Sequence, residues 1–365
     1  MNAEARELDK LVWEQTESRV RQGDLSSVRE LGAQFAAELD AAVGRVRAYQ
    51  GGLARIVRTL ALTPGRESLA QLIRLLDECG PFGRSGTEPQ FIASLLAEAQ
   101  RPDELAELLY RRPVSDGLDA LRACLFHELL LRGIDVKALR PVARQDWFAL
   151  SWLPTDLRPF ETDAPFPSRS VNGSAGGAWT GLGGEGRADP PTPRRHVPSS
   201  LRDIATVEVH EALVAAPSAG DFGDFGAWVF ALEAPVEPAL VPALVPSLPM
   251  KCVEGLGADA RFAIARRSPA DIWRILFSTA SMGGVYGHGV HGAFGRRSAW
   301  WSLTGLSGAP LDASAQEVER QVLESTWFHF ECDSAWFHNE IYDYGIVALS
   351  PDRCRLAVLA ATCTD

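Results

Sequence analysis

The chain has 365 residues, of which 46% are hydrophobic and 23% charged. That is long enough for two domains with separate cores and too ordinary a composition for general disorder. A net charge of -11 excludes the broad basic footprint that nucleic-acid binding needs, so no nucleic acid is expected as a partner.

Basic charge is carried almost wholly by arginine, with lysine only at Lys10, Lys137 and Lys251. With so much Ala and Gly, this reads as GC-rich coding, and no single arginine is evidence of phosphate binding. The opening "MNAEARELDKLVWEQ" is charged from Glu4 and shows no apolar leader. No run approaches the roughly 18 apolar residues of a membrane span. The cysteines Cys79, Cys124, Cys252, Cys332, Cys354 and Cys363 are scattered without a C-x-x-C pair and read as reduced thiols. A cytoplasmic protein with no membrane contact is expected.

Residues 1–153 read as a helical domain, an array or a bundle. After Asp24, the apolar residues Leu31, Phe35, Leu39 and Val43 recur at helical spacing, and Gly51-Gly52 is expected to close that helix. "ESLAQLIRLLDECG" and "EPQFIASLLAEAQ" follow, each about a dozen residues long. "PDELAELLYRR" starts on a proline that a first turn tolerates. "GLDALRACLFHELLLRG" is apolar on nearly all sides, which predicts a central buried helix.

Residues 154–200 are dense in Pro, Gly and Ser without a period, and form a connector, either a tether or a long ordered loop. Phe160, Phe166 and Trp179 within it suit a loop lying over a neighbouring surface. Residues 201–365 alternate between strand and helix patterns. "GAWVFALE" and "ARFAIARR" have strand composition, and "SPADIWRILFSTA" is a helix with Ser268 as cap, Pro269 first and Asp271 placed for a capping box. Prolines every fourth residue in "PALVPALVPSLP" predict a kinked or extended connector. "SAQEVERQVLES" is another helix, "TWFHFECD" a strand, and "YGIVALSPDRCRLAVLAAT" a strand pair around a type I turn at Ser350-Arg353. The last strand is apolar on both faces and should lie inside the sheet. The fold class is therefore α+β: helices first, then an antiparallel or mixed sheet packed with helices.

Chemistry concentrates late in the chain. Gly287-His288-Gly289-Val290-His291-Gly292 spells G-x-G-x-x-G, the dinucleotide fingerprint. Yet a capped helix leads into it where that fingerprint needs a strand, so a dinucleotide is not expected. A phosphate could still meet backbone N–H groups at the start of a helix over 295–305, with Arg296 or Arg297 supplying charge. Close crossing of helices and a strand is the plainer use of so many glycines.

Five of the seven histidines lie beyond residue 200. The two-residue strand period puts Trp327, His329 and Glu331 on one face and Phe328, Phe330 and Cys332 on the other. His338 and Glu340 follow shortly after. Candidate acid–base residues are His291, His329, Glu331, His338 and Glu340. Candidate ligand contacts are His288, Arg296, Arg297, Trp327 and Tyr342. A divalent metal would be held by His288, His291 and His329, though no spacing matches a known ligand motif. The nearby aromatics serve either as core or as a ligand groove.

The segments "STASMGGVYGHGVHGAFGRRSAWWSLTGL" and "WFHNEIYDYGIVALSPDRCRLAVLAATCTD" resemble a family of uncharacterised bacterial proteins with no assigned activity. The resemblance covers roughly the final 100 to 160 residues and implies that both segments belong to one domain. It supplies no catalytic residues. Two functional readings follow. The first is a non-catalytic binding or regulatory protein, with a protein-partner surface on the helical half and a pocket near the Gly-His loop. The alternative is an enzyme, metal-dependent or not, using the His/Glu cluster.

Overall fold

Up to Leu131 the described chain is built of helices. The computed structural model of the protein describes residues 12, 14–41, 46–78, 88–110, 116–136, 150–171, 175–176, 201–256, 260–284, 289–337 and 343–363. Helix α1 covers 14–21 and is followed by α2 (Leu25–Ala41), α3 (Val46–Leu62), α4 (Arg66–Glu78), α5 (Pro89–Ala99) and α6 (Pro102–Leu105). A single π-type turn, Ala106–Tyr110, continues α6, and α7 spans Asp116–Leu131. The Asp24 carboxylate accepts the Ser27 N–H at 3.2 Å and so satisfies a free donor at the start of α2. Leu121, Cys124, Leu125, Phe126 and Leu129 of α7 are all buried, in line with its all-round apolar pattern.

Gly51 and Gly52 do not end a helix; α3 runs through both. The cause is tertiary. A Cβ on Gly52 would stand 2.5 Å from Phe35 Cε1, so the missing side chain is what lets the Phe35 ring of α2 pack on α3. That burial outweighs the roughly 1 kcal/mol a helical glycine costs.

The chain divides into two compact units, Met1–Phe148 with Pro167–Gly177 and Ala149–Phe166 with Ala178–Asp365. The first holds the helices above and two short antiparallel strands, β1 (Ser168–Arg169) and β2 (Ala175–Gly176). Among its described residues, Val171 is the one large hydrophobic left exposed.

The second unit contains α8 (Val207–Leu213), α9 (Ala215–Ala219), β3 (Asp224–Ala231), α10 (Val241–Leu244), β4 (Phe262–Arg267), α11 (Pro269–Met282), α12 (His291–Ser307), α13 (Ala315–Glu324), β5 (Thr326–Cys332), β6 (Tyr344–Leu349) and β7 (Arg355–Thr362). The five longer strands form one antiparallel sheet in the order β3-β7-β6-β5-β4. Strand β7 is thus internal, as its doubly apolar pattern requires. One face carries Phe230, Ile264, Phe328, Phe330, Val347, Leu349, Leu356 and Val358, which pack on Val241, Val245, Leu248, Met250 and Cys252. The proline-rich stretch that supplies this cover folds as a string of single turns, Pro238–Leu240, α10 and Val245–Ser247, because proline every fourth residue allows no longer helix. Helices α11 and α12 pack together and lie against β5, β6 and β7. Among the described residues no helix is long and apolar enough to cross a membrane.

Candidate functional site

Two places in the second unit hold the chemistry: the turn from α11 into α12, and the helix side of strands β4 and β5. Helix α11 begins with a complete capping box. The Ser268 hydroxyl accepts the Asp271 N–H at 3.1 Å, and the Asp271 carboxylate accepts the Ser268 N–H at 3.2 Å. The glycine run that follows serves close approach. Gly289 has φ 56°, and a Cβ there would meet the backbone of Ser281 and stand 2.6 Å from the Met282 carbonyl carbon. Gly295 lies directly on Ser281, with a would-be Cβ 2.7 Å from Ser281 Cβ. Val290 turns in by donating its N–H to the Ala280 carbonyl at 2.8 Å.

Helix α12 starts at His291, a turn earlier than residue 295. His291 itself has φ 62°, a left-handed conformation that costs a non-glycine residue about 1–2 kcal/mol. Arg296 therefore stands inside the helix, not at its tip, and its side chain is fully buried. Its Nε and Nη2 donate to the two oxygens of Glu161 at 2.6 and 2.7 Å. Nη1 reaches the Pro154 carbonyl at 2.8 Å and Nη2 the Asp156 carbonyl at 3.1 Å. The Trp300 indole N–H donates to Glu161 Oε1 at 2.8 Å. Aromatic contacts extend this clasp: Trp152 stacks on Trp301 at 5.5 Å and Phe160 lies 5.2 Å from Trp300. Arg296 thus fastens the 150–166 segment to α12. Arg297, next along, is half-exposed.

On β5, Phe328, Phe330 and Cys332 enter the core while Trp327, His329 and Glu331 take the opposite face. Trp327 is buried and its indole N–H donates to the Val322 carbonyl at 2.8 Å. His329 pairs with Ala265 on β4 and Ile346 on β6, and is 6% exposed. Its imidazole forms no hydrogen bond among the described residues. Burial, helped by the positive charge of Arg267, pushes it down to about 4, so it is neutral at physiological pH. Arg267 pairs with Trp327 across the strands, which makes it the diagonal neighbour of His329, roughly 7 Å away in such a register. Its Nε is buried without a hydrogen-bond partner among the described residues. Glu331, the next residue on that face, has among the described residues only a long contact to Arg261 at 4.0 Å. Burial and then Asp343 raise its carboxyl above the usual range, against the pull of Arg261 and Arg267.

The structure thus gathers Arg267, His329 and Glu331 at the β4 edge of the sheet. His291 opens α12, and His288, His338, Glu340 and Tyr342 lie outside the described residues. Among the described residues no three His, Cys, Asp or Glu side chains are arranged to hold a metal ion. Sequence reasoning missed Glu161 and Arg267. The first stands 135 residues from Arg296; the second is identified only by strand register.

The second unit is therefore a five-stranded antiparallel sheet with helices α11 and α12 packed on it and a polar cluster at one edge. The chain belongs to the family of unknown function DUF6183, whose profile matches residues 10–365. The match takes in the helical unit as well, beyond the C-terminal segments that carry the resemblance. Neither the curated proteins nor the solved structures include a match.

Proposed function

We propose that this is a cytoplasmic, non-catalytic binding protein whose second unit receives a small polar ligand beside Arg267, His329 and Glu331. The observation that carries the reading is that three neighbouring polar groups have unused hydrogen-bonding capacity. Among the described residues, Arg267 Nε is a buried donor without an acceptor, His329 has an open donor and acceptor, and Glu331 has no close partner. Buried polar groups are ordinarily satisfied, so such a cluster fits a ligand that completes it. An anionic group would meet Arg267, and donors or acceptors of the same molecule would meet His329 and Glu331.

Catalysis is the weaker reading at this place. A general base works best near the operating pH and needs a partner to orient it; His329 lies near 4 and has no orienting carboxylate among the described residues. The helical unit, with Val171 its one exposed large hydrophobic among the described residues, would meet a protein partner through charge, not apolar burial.

The test is to equilibrate purified protein with a small-molecule cell extract and analyse both fractions by mass spectrometry. The reading expects a compound retained by the wild type, released unchanged on denaturation, and lost in Arg267→Gln and His329→Ala. Conversion of a compound that depends on His329 would replace it with the enzyme reading.

A further inference from the structure

The two edges of the five-stranded sheet are finished differently. At β3 the chain covers its own edge: the Ile204 N–H donates to the Val229 carbonyl at 2.8 Å, and the Asp203 carboxylate accepts the Val229 N–H at 2.9 Å. At the other end of the order stands β4, whose outer side has no such cover among the described residues. The register fixes which of its groups look outward. Asp333 donates its N–H to the Arg261 carbonyl at 3.0 Å, so these two residues form a hydrogen-bonded pair. Such pairs alternate along an antiparallel ladder. Ala263, Ala265 and Arg267 therefore bond through their backbone to β5, opposite Glu331, His329 and Trp327. Phe262, Ile264 and Arg266 turn their N–H and carbonyl groups outward, where none of them has a hydrogen-bond partner among the described residues.

The side chains of the strand alternate in step. Phe262 and Ile264 belong to the core face, where Phe262 stacks on Phe330 at 5.6 Å and Trp336 packs against the same core. Arg261, Ala263, Ala265 and Arg267 take the helix side, two arginines with small alanines between them. Residues 261–267 carry three arginines and no acid; the nearest acids along the ladder, Glu331 and Asp333, stand one strand further in. Arg266 is exposed. Arg261 is exposed as well, and its one ion contact among the described residues is the long approach to Glu331. In a chain of net charge -11, this edge is locally basic.

We propose that β4 is a docking edge for an extended acidic segment of a partner protein, which adds to the sheet as a further strand. Its backbone pairs with Phe262, Ile264 and Arg266. Its acidic side chains face Arg261 and Arg267, and its alternate, apolar side chains extend the Phe262–Ile264 surface. A second copy of this chain is a poor occupant, because pairing two such edges sets arginine against arginine. The site uses the outward backbone of β4 and shares only Arg267 with the small-ligand reading. The competing reading is that the arginines merely guard a bare edge, as charged side chains do in many sheets; it requires that no strand add, whatever its charge.

The test titrates the full chain with a fluorescein-labelled peptide of alternating valine and glutamate, followed by anisotropy, and with the matching valine–lysine peptide. Saturable one-to-one binding of the acidic peptide is expected, at least tenfold tighter than that of the basic one. Amide exchange read by NMR should slow at Phe262, Ile264 and Arg266 when the acidic peptide is bound. A small ligand beside His329 does not pair with these amides, so the two readings fail separately. Arg266→Pro, which withdraws one outward N–H at a position where an edge strand tolerates proline, should weaken binding at least tenfold. Arg261→Glu, on an exposed side chain, should weaken it at least threefold and serves if Arg266→Pro does not fold. No saturable binding up to millimolar peptide, equal binding of the two peptides, or binding without protection of those amides overturns the proposal.

Discussion

Replacing Glu161 with alanine removes the acceptor at the centre of the clasp between segment 150–166 and α12. In the wild type its carboxylate accepts two bonds from Arg296, one from the Trp300 indole and one from the Arg158 N–H. The side chains of Arg296 and Glu161 are both 0% exposed. The variant leaves a buried guanidinium without its carboxylate partner, and strands the indole N–H. Breaking one side of a buried, hydrogen-bonded pair costs about 3–5 kcal/mol, because the remaining charge stays desolvated. With a urea dependence of about 3 kcal/mol per molar, the midpoint should fall by roughly 1 to 1.7 M. Tryptophan fluorescence is the suitable probe, since Trp152, Trp300 and Trp301 adjoin the pair. The double variant Glu161→Leu with Arg296→Met should recover most of the loss, as apolar replacements of such pairs often do. A Glu161→Ala midpoint within about 0.3 M of wild type, a loss of about 1 kcal/mol at that slope, would refute the reasoning.

Protonation of His329 should make stability depend on pH. In the unfolded chain the imidazole takes its proton near the ordinary 6.5, in the fold only near 4. The unfolded state thus binds the proton first, and stability falls as pH drops through that window, by roughly 2–4 kcal/mol in total. Urea unfolding at pH 6.5 and 4.5 should show a steeper decline for wild type than for His329→Leu; parallel declines would count against it. Gly289→Ala forces a Cβ into a left-handed position against the Ser281–Met282 backbone and should cost about 2–4 kcal/mol by thermal unfolding; an unchanged melting temperature would show that the α11–α12 crossing is looser. Arg355 donates to the Leu306 and Gly305 carbonyls at 2.8 and 2.7 Å, capping the end of α12. Arg355→Met should lower stability by about 1–3 kcal/mol and speed amide exchange at Gly308, and exchange at the wild-type rate would argue that the cap is dispensable.

Features carried by consecutive residues were legible in the sequence. Ser268, Pro269 and Asp271 specify the start of α11 through hydrogen bonds spanning three residues, and the strand period of 326–332 separates the core-facing Phe328 and Phe330 from His329 and Glu331. Features set by distant contacts were not. Gly51-Gly52 has the local signature of a helix end, yet Phe35 makes it a packing site within α3. The glycines around 289 obscured the start of α12, because the residue that opens it, His291, has a backbone conformation more usual for glycine. Nothing in the proline- and glycine-rich 154–200 stretch marks Glu161 as the partner of Arg296. Arg267 joins His329 only once the β4–β5 register is known, since a shift of one residue would turn it to the other face.

The most direct measurement is the nitrogen chemical shift of the His329 imidazole, recorded with and without the compound retained from cell extract. The account predicts a neutral ring down to about pH 4 in the free protein. It further predicts a shift on saturation that Arg267→Gln abolishes, with the compound unchanged in mass. An imidazole that titrates near 6.5 and does not respond to any retained compound would contradict it.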